Sequence, residues 1–431
     1  MTAVLTADVC TAPLAKVSGC DLRVPLVQGG EGAYVNFDYA ASAPALSRVT
    51  DRIAASLHTY SSVHRGAGYA SRVSTDAYEE ARGTVARFVG ACEDQVVIFT
   101  RNTTDSLNLL AGCVPGSTVV LDIEHHANLL PWRDSRVVRA ADTVAETIRL
   151  LVAELCSKPT ALLAVTGASN VTGEVLPVAE LARIAHRCGA RILVDAAQLA
   201  PHRALDIEKW GVDYLAFSGH KLYAPFGAGV LVGRRDWLDD AEPYLAGGGA
   251  VRSVTVNSVQ WAPAPARHEA GTPNVLGAIA LAAACDALSE LDFGRVAAHE
   301  AALTDRLVRG LDSIDGSTLL RLWSDAPDSV GIVTFTIDGF EPAEIAAYLS
   351  AEHGIGVRDG RFCAHPLLNR LGHPDGAVRA SLGLGSCSDD VDRLVSAVRD
   401  LVAGRRTWNY ANEEGRWNPV PETRFLEGRV V

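Results

Sequence analysis

The stretch DYLAFSGHKLYAPFGAGVLVG, Asp213 to Gly233, contains a single lysine, Lys221, just where an apolar run gives way to Ser218 and His220 and glycines follow. Lysine is among the residues least often buried without a partner. Lys221 is therefore either a snorkelling surface charge or an amine wanted inside the protein. Other apolar runs end on polar residues in the same way. After QVVIFT come Thr103 and Thr104, where hydroxyls opening a helix make an anion site or a plain N-cap. After VVLDI come His125 and His126, either polar loop residues or an imidazole that stacks on a flat ring and shuttles a proton. Asn170 follows LLAVT, and Asp195 closes ARILV. Burying that carboxylate unpaired is costly, so it either caps a helix or faces a cation or several donors. Together these residues place a phosphate-sized anion site, a flat-ring partner, a buried carboxylate and a lone lysine along one edge of a sheet. That set suits pyridoxal 5′-phosphate. The lysine would form the Schiff base, the aspartate would keep the pyridinium nitrogen protonated, and hydroxyls with helix amides would take the phosphate.

The elements that must position these groups follow from the patterning. Runs at 95–100, 117–124, 160–166, 190–197, 212–219 and 228–233 are nearly continuous in apolar residues, as expected of strands covered on both faces. Helical patterns alternate with them. The spacing predicts a helix over 177–188, with Pro177 in the first turn, Val178, Leu181, Ala182 and Ala185 facing inward, and Gly189 at its end. Such alternation defines an α/β sheet whose ligands gather beyond the carboxyl ends of the strands. From about residue 290 the pattern changes to three helices and a strand, read as a smaller α+β domain. The expected division is an irregular lead-in over 1–33, a large cofactor-binding domain over 34–290, a small C-terminal domain over 291–404 and an irregular tail over 405–431.

Bulk composition narrows the class. The chain has 431 residues, 48% hydrophobic and 21% charged, enough for a sizeable core in an ordinary soluble protein. A net charge of −12 without a basic run argues against nucleic acid or an anionic membrane as partner. No apolar run approaches the roughly 20 residues needed to span a bilayer, and the opening residues do not read as a signal peptide. Nine scattered cysteines favour reduced thiols in the cytoplasm over a disulfide framework. Cys113, Cys156, Cys188 and Cys285 read as small core residues.

The chain resembles the class V aminotransferase family of fold-type I pyridoxal-phosphate enzymes, and within it the group II cysteine desulfurases and selenocysteine lyases. The matching blocks include NFDYAASAP (36–44), SSVHRGAGYAS (61–71), TRNTTDSLN (100–108), EHHANLLPW (124–132), SNVTGEVLP (169–177), VDAAQ (194–198), SGHKLYAPFGAGVL (218–231), RHEAGTPN (267–274), GVRDGRFCAHPL (356–367) and VRASLGLGSCSDDVDRLV (378–395). They fall in the family's order over about 34–402. The resemblance implies a large domain with a mainly parallel mixed sheet covered by helices. It implies Lys221 as Schiff-base lysine and acid/base at Cα, Asp195 on the ring nitrogen, and Asn170 and Gln198 on the ring oxygen or substrate carboxylate. His125 would stack on the ring; Thr103, Thr104, Ser218 and His220 would hold the phosphate. Thr272 would reach the phosphate of a neighbouring subunit, which implies a homodimer. Arg379 and Arg358 would clamp the substrate carboxylate with guanidinium forks.

Cys363, five residues after Arg358, falls where group II desulfurases carry the thiol that becomes a persulfide. Its neighbour Arg361 would favour the nucleophilic thiolate. The implied reaction converts L-cysteine to L-alanine and passes sulfur to an acceptor protein or thiol. The sequence departs from the family in two places. Arg361 and Phe362 stand where group II enzymes usually carry two histidines, which fits Arg361 to a second acidic group on a larger substrate. A selenocysteine lyase, a C–S lyase, or a related epimerase or transaminase is the alternative. The Trp132–Leu162 segment is also short for the family, implying a trimmed strand and loop.

Overall fold

A computed structural model describes residues 10–424 of the chain. Residues 1–9 of the lead-in and 425–431 of the tail lie outside the described residues. The large sheet has seven strands, in the order 95–100, 229–234, 214–218, 191–195, 162–166, 118–121, 135–138. The five from Tyr214–Ser218 to Ser135–Val138 pair in parallel. Gly229–Arg234 runs antiparallel to both of its neighbours. The segment 219–228, which carries Lys221, is too short for a parallel crossover of about a dozen residues or more, so the chain must turn back beside the strand it has left. The sheet is thus mixed but mainly parallel, with helices covering it, as expected.

The interior strands are buried along their whole length, which is why their sequences do not alternate. Helix Val178–Arg187 buries Val178, Leu181, Ala182, Ile184 and Ala185 against the sheet. Gly189, at φ +77°, follows its end in the left-handed conformation that stops a helix. The short Trp132–Leu162 segment still contains an edge strand, Ser135–Val138, because four residues suffice to pair with Thr118–Leu121. Cys113 and Cys285 are buried as expected. Cys156 is exposed and Cys188 only half-buried, because both lie where helices end rather than on their inward stripes.

A second core gathers Phe335, Leu303, Leu307, Tyr348, Val378 and Val398 around an antiparallel sheet ordered 317–319, 332–337, 377–381, 358–360. Val35 and Phe37 belong to this core, because Val35–Asn36 pairs in parallel with Ile355–Gly356. The lead-in is not wholly irregular: Arg23–Pro25 and Glu31–Ala33 form a short hairpin.

The tail also departs from expectation. Asn409–Glu413 and Arg416–Val420 form a hairpin whose two turn residues, Glu414 and Gly415, both have positive φ, as a type I′ turn requires. Its mostly polar composition hid the strand alternation. The hairpin packs on helix Pro342–His353. There the buried carboxylate of Glu352 accepts from Thr407 N (2.8 Å), Trp408 N (3.3 Å) and Tyr410 Oη (3.0 Å). Trp417 Nε1 donates to Glu341 at 2.8 Å. Replacing Glu352 by Ala removes these charge-assisted hydrogen bonds, at a cost of about 1–3 kcal/mol. Hydrogen exchange over Thr407–Val420 should then rise about tenfold or more, while the amides of the large sheet stay protected.

Candidate active site

The polar strand ends converge on one cavity of about 520 Å³, large enough for a cofactor with a small substrate. The large domain contributes Thr103, Thr104, His125, Asn170, Asp195, Gln198, Ser218, His220 and Lys221. The opposite wall is Arg358, Phe362, Cys363 and Arg379. Of the fourteen residues expected at the site, twelve line this cavity; Arg361 and Thr272 do not.

At one end sits the start of helix Thr103–Cys113. Its cap is Asn102, whose side chain accepts from Asp105 N at 3.0 Å, so neither threonine is spent as the N-cap. Ser218 Oγ accepts from Thr103 N at 2.7 Å and lies 2.6 Å from Thr103 Oγ1. Thr104 is exposed toward the cavity. His220 is lowered to about 4 by burial and by the Lys221 charge, so its ring is neutral at physiological pH. Gly229 is required here: a Cβ on it would lie 2.6 Å from Asn102 Cα. The exposed Thr104 at this helix start, beside the paired hydroxyls of Thr103 and Ser218, makes a site for a phosphate-sized anion.

The middle of the cavity suits a flat ring. His125 caps the short helix His126–Leu129, accepting from Ala127 N through Nδ1 at 3.0 Å. Burial, then Lys221, lowers it to about 4, leaving a neutral imidazole fit for stacking. Asp195 is buried and accepts from Ala197 N at 2.9 Å, but no helix begins there. Its second carboxylate oxygen has no protein donor in the bonds it makes. Burial raises its pKa, while the Ala197 bond and the Lys221 charge act against that. Gln198 donates through Nε2 to Ala40 O at 2.8 Å, leaving its buried Oε1 without a partner. Such an orphaned acceptor lining a cavity fits a bound polar group.

Lys221 answers to the inside of the protein. Burial lowers its amine to about 8 and Arg379 adds to this, while Asp195 and Cys363 pull the other way. A sizeable fraction is therefore neutral near physiological pH and able to act as nucleophile or base.

Cys363 stands exposed at the mouth of the cavity. Phe362 and Cys363 both have positive φ, +51° and +54°, a costly conformation for side-chain-bearing residues. The large domain holds both carbonyls: Asn170 Nδ2 donates to Phe362 O and His126 N to Cys363 O, each at 2.8 Å. Arg379 is buried, donates to Asn170 O at 2.8 Å and to Asp38 at 3.2 Å, and keeps one orphaned donor, Nε. Its guanidinium also lies 5.2 Å from the Phe362 ring centroid. Arg358 lines the cavity, whereas Arg361 is exposed outside it. Thr272 is exposed in a separate hollow with Tyr60, Ser62 and Arg65.

Asp38, Glu124 and His365 escaped the sequence reading, which named His126 only as one of a histidine pair. Asp38, inside NFDYAASAP, backs Arg379. Glu124, fully buried and raised to about 8 by burial, accepts from Thr166 N (3.0 Å) and Asn128 Nδ2 (2.8 Å), tying the His125 loop to the neighbouring strand. His126 and His365 meet edge to face at 4.5 Å beside Cys363, and His365 N donates to His126 Nε2 at 3.4 Å. Two histidines thus meet next to the Cys363 backbone, although neither directly precedes that residue in sequence.

A family model, Aminotransferase class-V, matches residues 35–394. The chain belongs to that family. It is 39% identical to a cysteine desulfurase of Dickeya dadantii over 87% of this chain and 93% of that protein. A probable cysteine desulfurase of Mycobacterium leprae is 36% identical over 85% of this chain; it is longer, and the match spans 62% of it. The apo structure of a cysteine desulfurase from Thermococcus onnurineus superposes with a TM-score of 0.80 at 32% identity, covering 90% of this chain and 99% of that one. These relatives make the protein an enzyme of the cysteine desulfurase type.

Gly229→Ala should crowd the start of helix Thr103–Cys113 at a cost of about 1–3 kcal/mol. Titration with pyridoxal 5′-phosphate should then show affinity reduced about tenfold, with the helical circular dichroism unchanged.

Proposed function

We propose that the protein binds pyridoxal 5′-phosphate and transfers sulfur from L-cysteine to Cys363, releasing L-alanine. The observation that carries this reading is an exposed thiol, on a strained and pinned loop, opening onto the cavity that contains Lys221. Thr103, Thr104, Ser218 and His220 would hold the phosphate, His125 would cover the ring face, and Asp195 would meet the ring nitrogen. Gln198, with its orphaned Oε1, and Asn170 would meet the ring oxygen or the substrate carboxylate. When bound, the cofactor supplies an electron-accepting ring that lowers the cost of breaking bonds at Cα.

The chain's own residues do the rest. Arg379, fixed by Asp38 and Asn170, presents its orphaned Nε to the substrate carboxylate, with Arg358 at the rim. The neutral Lys221 amine takes the Cα proton and returns one as the product forms. Cys363 thiolate attacks the substrate sulfur; the new S–S bond forms as the C–S bond breaks, and the carbon side retains the electron pair. The balance is L-cysteine plus Cys363 thiol giving L-alanine plus Cys363 persulfide. An acceptor thiol, on a small molecule or protein, then removes the outer sulfur. The exposure of Cys363 supports that hand-over.

Thr272 lies apart from the cavity of its own chain, which supports the reading that it serves a second copy in a homodimer. No helix among the described residues is long and apolar enough to cross a membrane, and we place the enzyme in the cytoplasm.

Two outcomes test the proposal. Lys221→Ala should lose both the visible absorbance of the bound cofactor and all alanine formation. Cys363→Ser should keep that absorbance and its response to cysteine while forming no persulfide or alanine; alanine release from this variant would reject the thiol's role. The pH dependence follows from Lys221. Its amine adds to an aldehyde only when neutral, so the rate at which apoprotein captures pyridoxal 5′-phosphate should climb with pH by about tenfold per unit. Stopped-flow absorbance should show that rise levelling off above about pH 8.

A further inference from the structure

Cys156 is the penultimate residue of helix Val144–Ser157, Cys188 directly follows helix Val178–Arg187, and the two sulfurs meet. Cys156 Sγ lies 2.9 Å from Cys188 Sγ, the one sulfur–sulfur hydrogen bond among the described residues. That is within about 1 Å of the length of a disulfide bond. Cys156 is exposed and Cys188 half-exposed, so a small reagent in solvent can reach the pair. The hydrogen bond with Cys156 raises the Cys188 thiol above its ordinary value. Neither residue touches the cavity or has a part in the chemistry proposed above.

Their place in the fold is equally defined. Cys156 precedes strand Leu162–Thr166, and Cys188 precedes strand Arg191–Asp195, its parallel neighbour. Arg191 N donates to Ala161 O at 2.9 Å, holding the two strand starts together. The sulfurs therefore sit at the amino ends of these strands, whereas Asn170 and Asp195 serve the cavity from the carboxyl ends. Five residues of strand separate the two ends by roughly 15 Å.

We propose that Cys156 and Cys188 are a covalent modification site, a dithiol that closes to an intramolecular disulfide with a low-molecular-weight disulfide as oxidant. One thiolate attacks a sulfur of the small disulfide, forming a mixed disulfide and expelling one small thiolate. The second cysteine then attacks the protein sulfur of that mixed disulfide, expelling the other small thiolate. The protein loses two electrons and two protons, and one small disulfide becomes two thiols. Closure ties the ends of neighbouring helices and constrains a 32-residue span of the unfolded chain, which stabilises the folded state. This inference is independent of the desulfurase reading, since it uses no residue of the cavity.

The test treats the cofactor-loaded full chain with oxidised glutathione, alkylates the remaining thiols, and maps the peptides by mass spectrometry. The expected result is a peptide pair joined through Cys156 and Cys188, lighter by two hydrogens and carrying no glutathione. Cys20, also exposed, should instead take up glutathione. The oxidised protein should melt higher than the reduced one, and a reductant should reverse the shift. Cys156→Ser should leave Cys188 bearing glutathione or the alkylating group and abolish the rise in melting temperature; Cys188→Ser should do the converse. Both cysteines recovered alkylated, or each carrying its own glutathione, would overturn the proposal. So would a melting rise that persists in either serine variant.

Discussion

An amine and a carboxylate of opposite charge line one cavity that burial makes hostile to both. Lys221 and Asp195 each shift toward neutrality through desolvation, and each is drawn back toward charge by the other. Neither would be tolerable there alone. Their placement requires two adjacent parallel strands, Arg191–Asp195 and Tyr214–Ser218, to end on the same edge. It also requires the chain to reverse at once into Gly229–Arg234. Histidines 125 and 220, both neutral above about pH 4, add no further positive charge to a site that already contains Arg379.

The second wall comes from the other core, and its attachment is specific. Asn170 is the hinge-pin of the arrangement: its side chain holds Phe362 O and its carbonyl holds Arg379. The same residue thereby sets the position of the thiol loop and of the guanidinium. His126 adds a third bond, to Cys363 O. Two consecutive left-handed residues persist because their carbonyls are clamped from across the cleft.

Much of the large domain was legible because doubly covered strands leave long apolar runs, and because a polar residue closing such a run must have a reason. Lys221, Asp195 and Ser218 carried that signal directly. Helix Val178–Arg187 was equally plain from its stripe and its terminal glycine. Other features left no local trace. Asp38 and Arg379 are 341 residues apart, and the meeting of His126 with His365 depends on docking two separate elements. The hairpin in the tail was masked by polar strands that gain their hold from Glu352 rather than from an apolar face. Cys156 and Cys188 misled because helical context was equated with burial, although both lie at helix ends.

The tight return between Tyr214–Ser218 and Gly229–Arg234 constrains how the gene can vary. Both flanking strands are locked in register, with Gly229 opposite Ser218 on one side and Thr100 on the other. An extra codon inside 219–228 would have to be absorbed as a bulge, or else every side chain of the next strand would change face. The exposed tip at 255–258 carries no such constraint and can lengthen without moving a residue of the cavity.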